Sequence, residues 1–142
     1  TNGDAQATGG SAQSAGGSAR STPAALIRAA QTWPAQQAIV DLQWKECVEL
    51  TYAELLERVR DFAAALVASG FEAGDRVAIW SPNSYHWQIA ALGIQYAGGV
   101  LVPLNTRYTA TEAVDVIEPQ AVQPALGDQP PGDRADMLIA MT

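Results

Sequence analysis

The side chains that could perform chemistry in this 142-residue chain are few and widely spaced. The single histidine, His86, lies near Ser81 and Ser84, which suggests a serine nucleophile with a histidine base. No G-x-S-x-G turn accompanies these residues, so the strained turn that exposes such a nucleophile is missing. Ser84 and His86 are more simply a helix cap and a residue of the first helical turn. We therefore predict no catalytic residue here.

Two pairs of carboxylates have a spacing that general acid and base catalysts could use. They are Glu54 with Glu57, and Glu112 with Asp115. Both pairs fall in the first turn of a predicted helix, where the helix dipole favours negative charge. Capping therefore explains them without catalysis.

The sequence also predicts no metal or nucleotide site. A zinc site would need Cys47 and His86 together with carboxylates at no recognisable spacing. No phosphate-binding loop or G-x-G-x-x-G pattern occurs in the sequence. Gly98 and Gly99 precede a strand, whereas a phosphate-binding loop precedes a helix. We predict no catalytic, cofactor-binding or metal-binding residue on this chain. Cys47 cannot form an internal disulfide as the only cysteine, which suits a reducing compartment.

Charge and hydropathy exclude other classes of function. The formal net charge is −7, and the eight Lys and Arg residues are scattered, which disfavours nucleic acid as a partner. No apolar run approaches the roughly 18 residues of a membrane span. The first twenty residues lack a secretory signal, so we predict a cytoplasmic protein. The chain begins with Thr1 rather than Met, which indicates a start codon upstream or a removed segment.

The first half of the chain divides into a leader, a short helix, a hairpin and a long helix. Residues 1–21 are mostly small and polar, which predicts a disordered leader. Thr22 and Pro23 predict a helix start. Two short strands, Ala38 to Asp41 and Val48 to Leu50, predict a hairpin. A capping box of Thr51 and Glu54 then opens a long helix ending at Gly70, with a predicted buried face of Leu55, Leu56, Val59, Phe62, Ala63, Leu66 and Val67.

The second half contains a strand, a helix and another strand. Apolar runs at Val77 to Trp80 and Val100 to Leu104 flank a helical pattern from Ser84 to Ala97. This order predicts parallel pairing through a right-handed crossover, and hence an α/β fold. A second capping box, Thr109 with Glu112, begins a helix that Pro119 stops. We predict a folded region over residues 22–117 and a divergent, irregular tail over residues 118–142.

One positional argument favours a binding site. In open parallel sheets, ligands collect beyond the carboxyl ends of the strands. Ser81, Pro82 and Asn83 follow the first strand, and Asn105 to Tyr108 follow the second, so Asn83 and Arg107 could face one crevice and hold an anion. The alternative is two turns with a surface arginine, since such loops need Pro, Asn and Ser anyway.

The stretch from Leu50 to Val116 resembles the N-terminal part of acyl-CoA synthetases, enzymes of fatty acid metabolism in the adenylate-forming superfamily. The segment LTYAELLERVRDFAAAL is similar to that family's first long helix. The segment GDRVAIWSPNSYHWQIAALGIQYAGGVLVPLNTRYTATEA matches its G-D-x-V, P-N and A-G-x-x-x-V-P-L-N pattern. The segment AIWSPNSYHW is similar to the corresponding segment of actinobacterial ligases, including some that act on steroid-derived propanoates. The resemblance implies a partial parallel sheet flanked by helices, one corner of the large N-terminal domain.

The resemblance also implies a reaction and its partners. A carboxylic acid and ATP, with Mg²⁺, would give an acyl-adenylate and pyrophosphate, and coenzyme A would then displace AMP. The family's phosphate loop, adenosine site and catalytic lysine lie in the remainder of the ligase chain, so the resemblance assigns no site residue here and implies that this fragment alone is inactive. After Ile117 the sequence departs from the family's pattern, as a frameshift would produce. Alternatives are a small α/β binding or interaction module, or a fragment of a luciferase-like or peptide-synthetase adenylation enzyme.

Overall fold

The computed structural model describes residues 21–43, 45, 47–117 and 137–140. The predicted leader lies outside these residues except for Ser21, as does the predicted tail except for residues 137–140. The elements, in chain order, are α1 (Thr22–Thr32), β1 (Gln37–Asp41), β2 (Val48–Thr51), α2 (Tyr52–Ala68), β3 (Arg76–Trp80), α3 (Tyr85–Tyr96), β4 (Val100–Pro103), α4 (Ala110–Ile117) and β5 (Met137–Ala140).

The first helix begins one residue earlier than the sequence suggests. Ser21 rather than Thr22 is the N-cap, and its hydroxyl accepts a hydrogen bond from the amide of Ala24 at 3.3 Å. Strands β1 and β2 pair in antiparallel fashion, with Ile39 opposite Leu50, which confirms the hairpin. Both of these residues are buried against α1 and α2.

Helix α2 starts with the predicted capping box. The amide of Thr51 donates to the Glu54 carboxylate at 2.8 Å, and the amide of Glu54 donates to the Thr51 hydroxyl at 3.2 Å. Its apolar face is buried as predicted except at Phe62, which is half-buried, and at Val67, which is 58% exposed. The exposure of Val67 is the larger departure. That part of the prediction is wrong because the chain reverses at Gly70, where φ is +95°, and Phe71 joins the buried cluster at this end of the helix.

The second half forms a parallel sheet with the order β4-β3-β5. Strands β3 and β4, joined through α3, confirm the predicted parallel unit. Strand β5 also pairs with β3 in parallel, with Leu138 opposite Ala78. The expectation of an irregular tail is therefore wrong at residues 137–140, where the short run of apolar residues adds a strand. As a consequence, β3 has a neighbour on each side.

Both faces of β3 are covered, as its uninterrupted apolar run predicts. Val77 and Ile79 are fully buried against α2 and α3, where Ile94 is also fully buried. On the other face Ala78 packs with Leu104 and with Ala113 of α4. Among the residues that the structure describes, no helix has the length and apolar character needed to cross a membrane.

Candidate functional site

The loops after β3 and β4 leave the same edge of the parallel sheet. The amide of Leu104 donates to the carbonyl of Ile79 at 2.9 Å, so the two strands end side by side. This edge holds the predicted loops that contain Asn83 and Arg107, and it is where ligands of parallel α/β sheets usually bind. Functional side chains are therefore expected at this edge.

The loop after β3 serves mainly to start α3. Ser81 is buried, and its hydroxyl lies 3.3 Å from the carbonyl of Pro82. Ser84 is the N-cap, and its hydroxyl accepts the amide hydrogen of Trp87 at 3.2 Å. His86 is exposed in the first turn, and its ring lies against that of Tyr85 with 3.9 Å between the centroids. The structural roles predicted for Ser84 and His86 are confirmed.

A second side chain at the start of α3 was not identified from the sequence. Asp41, at the end of β1, is only 6% exposed. One carboxylate oxygen accepts the amide hydrogen of Tyr85 at 2.8 Å, and the other accepts that of Gln43 at 2.9 Å. Asp41 thus joins the hairpin to the N-terminus of α3, where the helix dipole favours its charge. The two partners are 44 residues apart, so no local pattern indicates the contact.

The loop after β4 is organised by Asn105. Its side-chain oxygen accepts the amide hydrogen of Arg107 at 3.0 Å, and its carbonyl accepts that of Tyr108 at 3.0 Å. The side chain of Arg107 is exposed. Asn83 borders an open groove of about 600 Å³ along α3, and Arg107 is not among the residues that line it. The crevice shared by Asn83 and Arg107 therefore stays a prediction.

One carboxylate of each predicted pair, Glu54 and Glu112, acts as a helix cap in the structure. Glu112 accepts hydrogen bonds from the amide and the hydroxyl of Thr109, at 2.8 and 3.0 Å. These bonds hold the pKa of Glu112 below its usual value, because they stabilise the charged form. The bond from the backbone amide of Thr109 has the larger effect, and the bond from its hydroxyl has the smaller one. Glu54 caps α2 through one hydrogen bond, which it accepts from the amide of Thr51.

The described residues offer no ready metal site. Within that part of the chain, no group of three or more His, Cys, Asp and Glu side chains could hold a metal ion. Cys47 is exposed, with its sulfur 4.0 Å from a carboxylate oxygen of Glu49. A single thiol beside a single carboxylate does not provide the four ligands of a structural zinc site.

The carboxyl edge of the sheet is also poorly suited to bind phosphate. Helix N-termini commonly bind anions through free amide groups. At α3 these groups donate to Ser84 and Asp41, and at α4 the cap is formed by Thr109 and Glu112. Asp41 and Glu112 are carboxylates, which would repel a phosphate. The arrangement stabilises the fold, and in the two loops at this edge Arg107 is the one positively charged side chain, whereas phosphate chemistry requires several grouped positive charges.

Comparison with known proteins identifies the relatives of the chain. Residues 26–136 match the sequence model of the AMP-binding enzyme family. A 3-[(3aS,4S,7aS)-7a-methyl-1,5-dioxo-octahydro-1H-inden-4-yl]propanoyl:CoA ligase of Rhodococcus jostii is 56% identical over 98 residues, which are 69% of this chain and 18% of that ligase. The match to the family extends beyond Ile117, into the segment that was expected to diverge.

Solved structures agree with this relationship. The N-terminal domain of FACL13 from Mycobacterium tuberculosis superimposes with a TM-score of 0.61 and 35% identity, over 65% of this chain and 23% of that one. The N-terminal subdomain of Klebsiella oxytoca NpsA, in complex with anthranilyl-AMSN, gives a TM-score of 0.63 and 28% identity, over 68% and 24% of the two chains. The chain therefore spans about a fifth to a quarter of the lengths of these relatives.

Proposed function

The chain belongs to the AMP-binding enzyme family, and from this premise we propose that it forms the N-terminal structural corner of an ATP-dependent acid-CoA ligase. The observation that carries the proposal is the 56% identity to a propanoyl:CoA ligase. The geometry supports it, because the polar groups at the carboxyl edge of the sheet are engaged in capping. Our proposal gives these residues a supporting role and no catalytic one.

In the proposed reaction, the carboxylate oxygen of an acid attacks the α-phosphorus of ATP and pyrophosphate leaves. The thiol of coenzyme A then attacks the acyl carbon, loses its proton and displaces AMP. Activation as an adenylate is needed because oxide is a far poorer leaving group than AMP. Both steps need hydrogen-bond donors, Mg²⁺ and positively charged groups around the phosphate. In this proposal these come from the remainder of the ligase.

The identity of the acid is a finer part of the proposal. The name of the Rhodococcus relative describes a propanoate carried on a saturated bicyclic ring with two ketones. We assign the parent ligase an acid of that class. The cytoplasmic location predicted from the sequence also belongs to this proposal.

A chimeric ligase tests the function. Residues 22–140 would replace the matching segment of the Rhodococcus ligase, and the chimera would be assayed for acid-dependent exchange of pyrophosphate into ATP and for thioester formation with coenzyme A. We expect both activities in the chimera. The 142-residue chain alone should give neither, because its described residues lack positive charge grouped for phosphate.

The outcomes separate the alternatives. Exchange of pyrophosphate into ATP without thioester formation would favour the alternative, in which the chain is part of an adenylation enzyme. A chimera that folds, as judged by cooperative unfolding, but lacks both activities would contradict the proposal. Exchange by the 142-residue chain alone would contradict its supporting role. The acid is tested separately, by comparing bicyclic propanoates with straight-chain acids in the complete parent ligase, where a preference for straight-chain acids would overturn the assignment.

A further inference from the structure

We draw no further inference here: the strongest candidate, the open groove of about 600 Å³ that lies along α3 between the start of α1 and Leu101 of β4, is a partly apolar surface, and nothing in the structure shows what covers it.

Discussion

Replacing Gly93 by alanine probes the contact between α2 and α3 most directly. A Cβ atom at this position would lie 2.5 Å from Cδ1 of Phe62, 3.2 Å from its Cγ and 3.3 Å from its Cβ. Phe62 packs against both of the larger buried clusters, so its ring cannot turn away without losing contacts. The added methyl group is therefore forced into a filled interface.

Two opposing effects determine the free energy of unfolding of Gly93→Ala. Overpacking a core costs about 1–3 kcal/mol. Alanine is more favourable than glycine in a helix by about 1 kcal/mol. We expect a net loss of about 1 kcal/mol, or a melting temperature lower by about 4–8 °C for a folded region of this size.

A double-mutant cycle isolates the steric effect. When Phe62→Ala removes the ring, Gly93→Ala should become stabilising by about 1 kcal/mol, which gives a coupling energy of about 2 kcal/mol. Urea unfolding of the four proteins, followed by far-ultraviolet circular dichroism, measures both quantities. A Gly93→Ala protein more stable than the parent, or the same effect in both backgrounds, would refute the reasoning.

Two further predictions concern the caps at the carboxyl edge. Asp41→Ala should lower the free energy of unfolding by about 2 kcal/mol, because a buried carboxylate that accepts two amide hydrogens is lost. The control Asp115→Ala, on the exposed face of α4, should change the free energy of unfolding by less than about 0.5 kcal/mol. Equal losses of stability in urea unfolding would contradict this prediction. The pKa of Glu112, measured by NMR titration, should lie below the ordinary 4.5 and return toward it in Thr109→Ala. Because folding lowers this pKa, the cap should stabilise α4 above the ordinary value and lose that effect as the pH falls through the folded-state pKa. Because Thr109→Ala keeps the backbone amide and removes only the hydroxyl, a partial return is expected, and an unchanged Glu112 pKa would exclude the contribution of the hydroxyl.

The features that the sequence predicts correctly are those determined by residues close in the chain. The capping boxes at Thr51 and Thr109 each depend on a side chain three residues away. The strand, helix and strand from β3 to β4 follow from hydrophobic periodicity and glycine positions. Periodicity fails at Val67, because it does not reveal where the chain turns back.

The features that were missed depend on distant contacts. Asp41 looks like the end of a short strand, and its bond to Tyr85 becomes visible only when β1 is placed beside α3. Residues 137–140 form a strand because they reach the open side of β3, although their short apolar run has no supporting pattern around it. The crevice between Asn83 and Arg107 stays a prediction, because the edge of the sheet alone does not determine where the side chains point.

The contacts of Asp41 and Phe62 indicate that the hairpin and the parallel sheet stabilise each other through α2 and α3. One buried cluster lies under the hairpin and the other lies under the parallel sheet, and α2 and α3 contribute side chains to both. Phe62 contacts both clusters, and Asp41 connects the end of the hairpin to the start of α3. A change at either residue should therefore weaken both halves together, because neither sheet is held independently of α3.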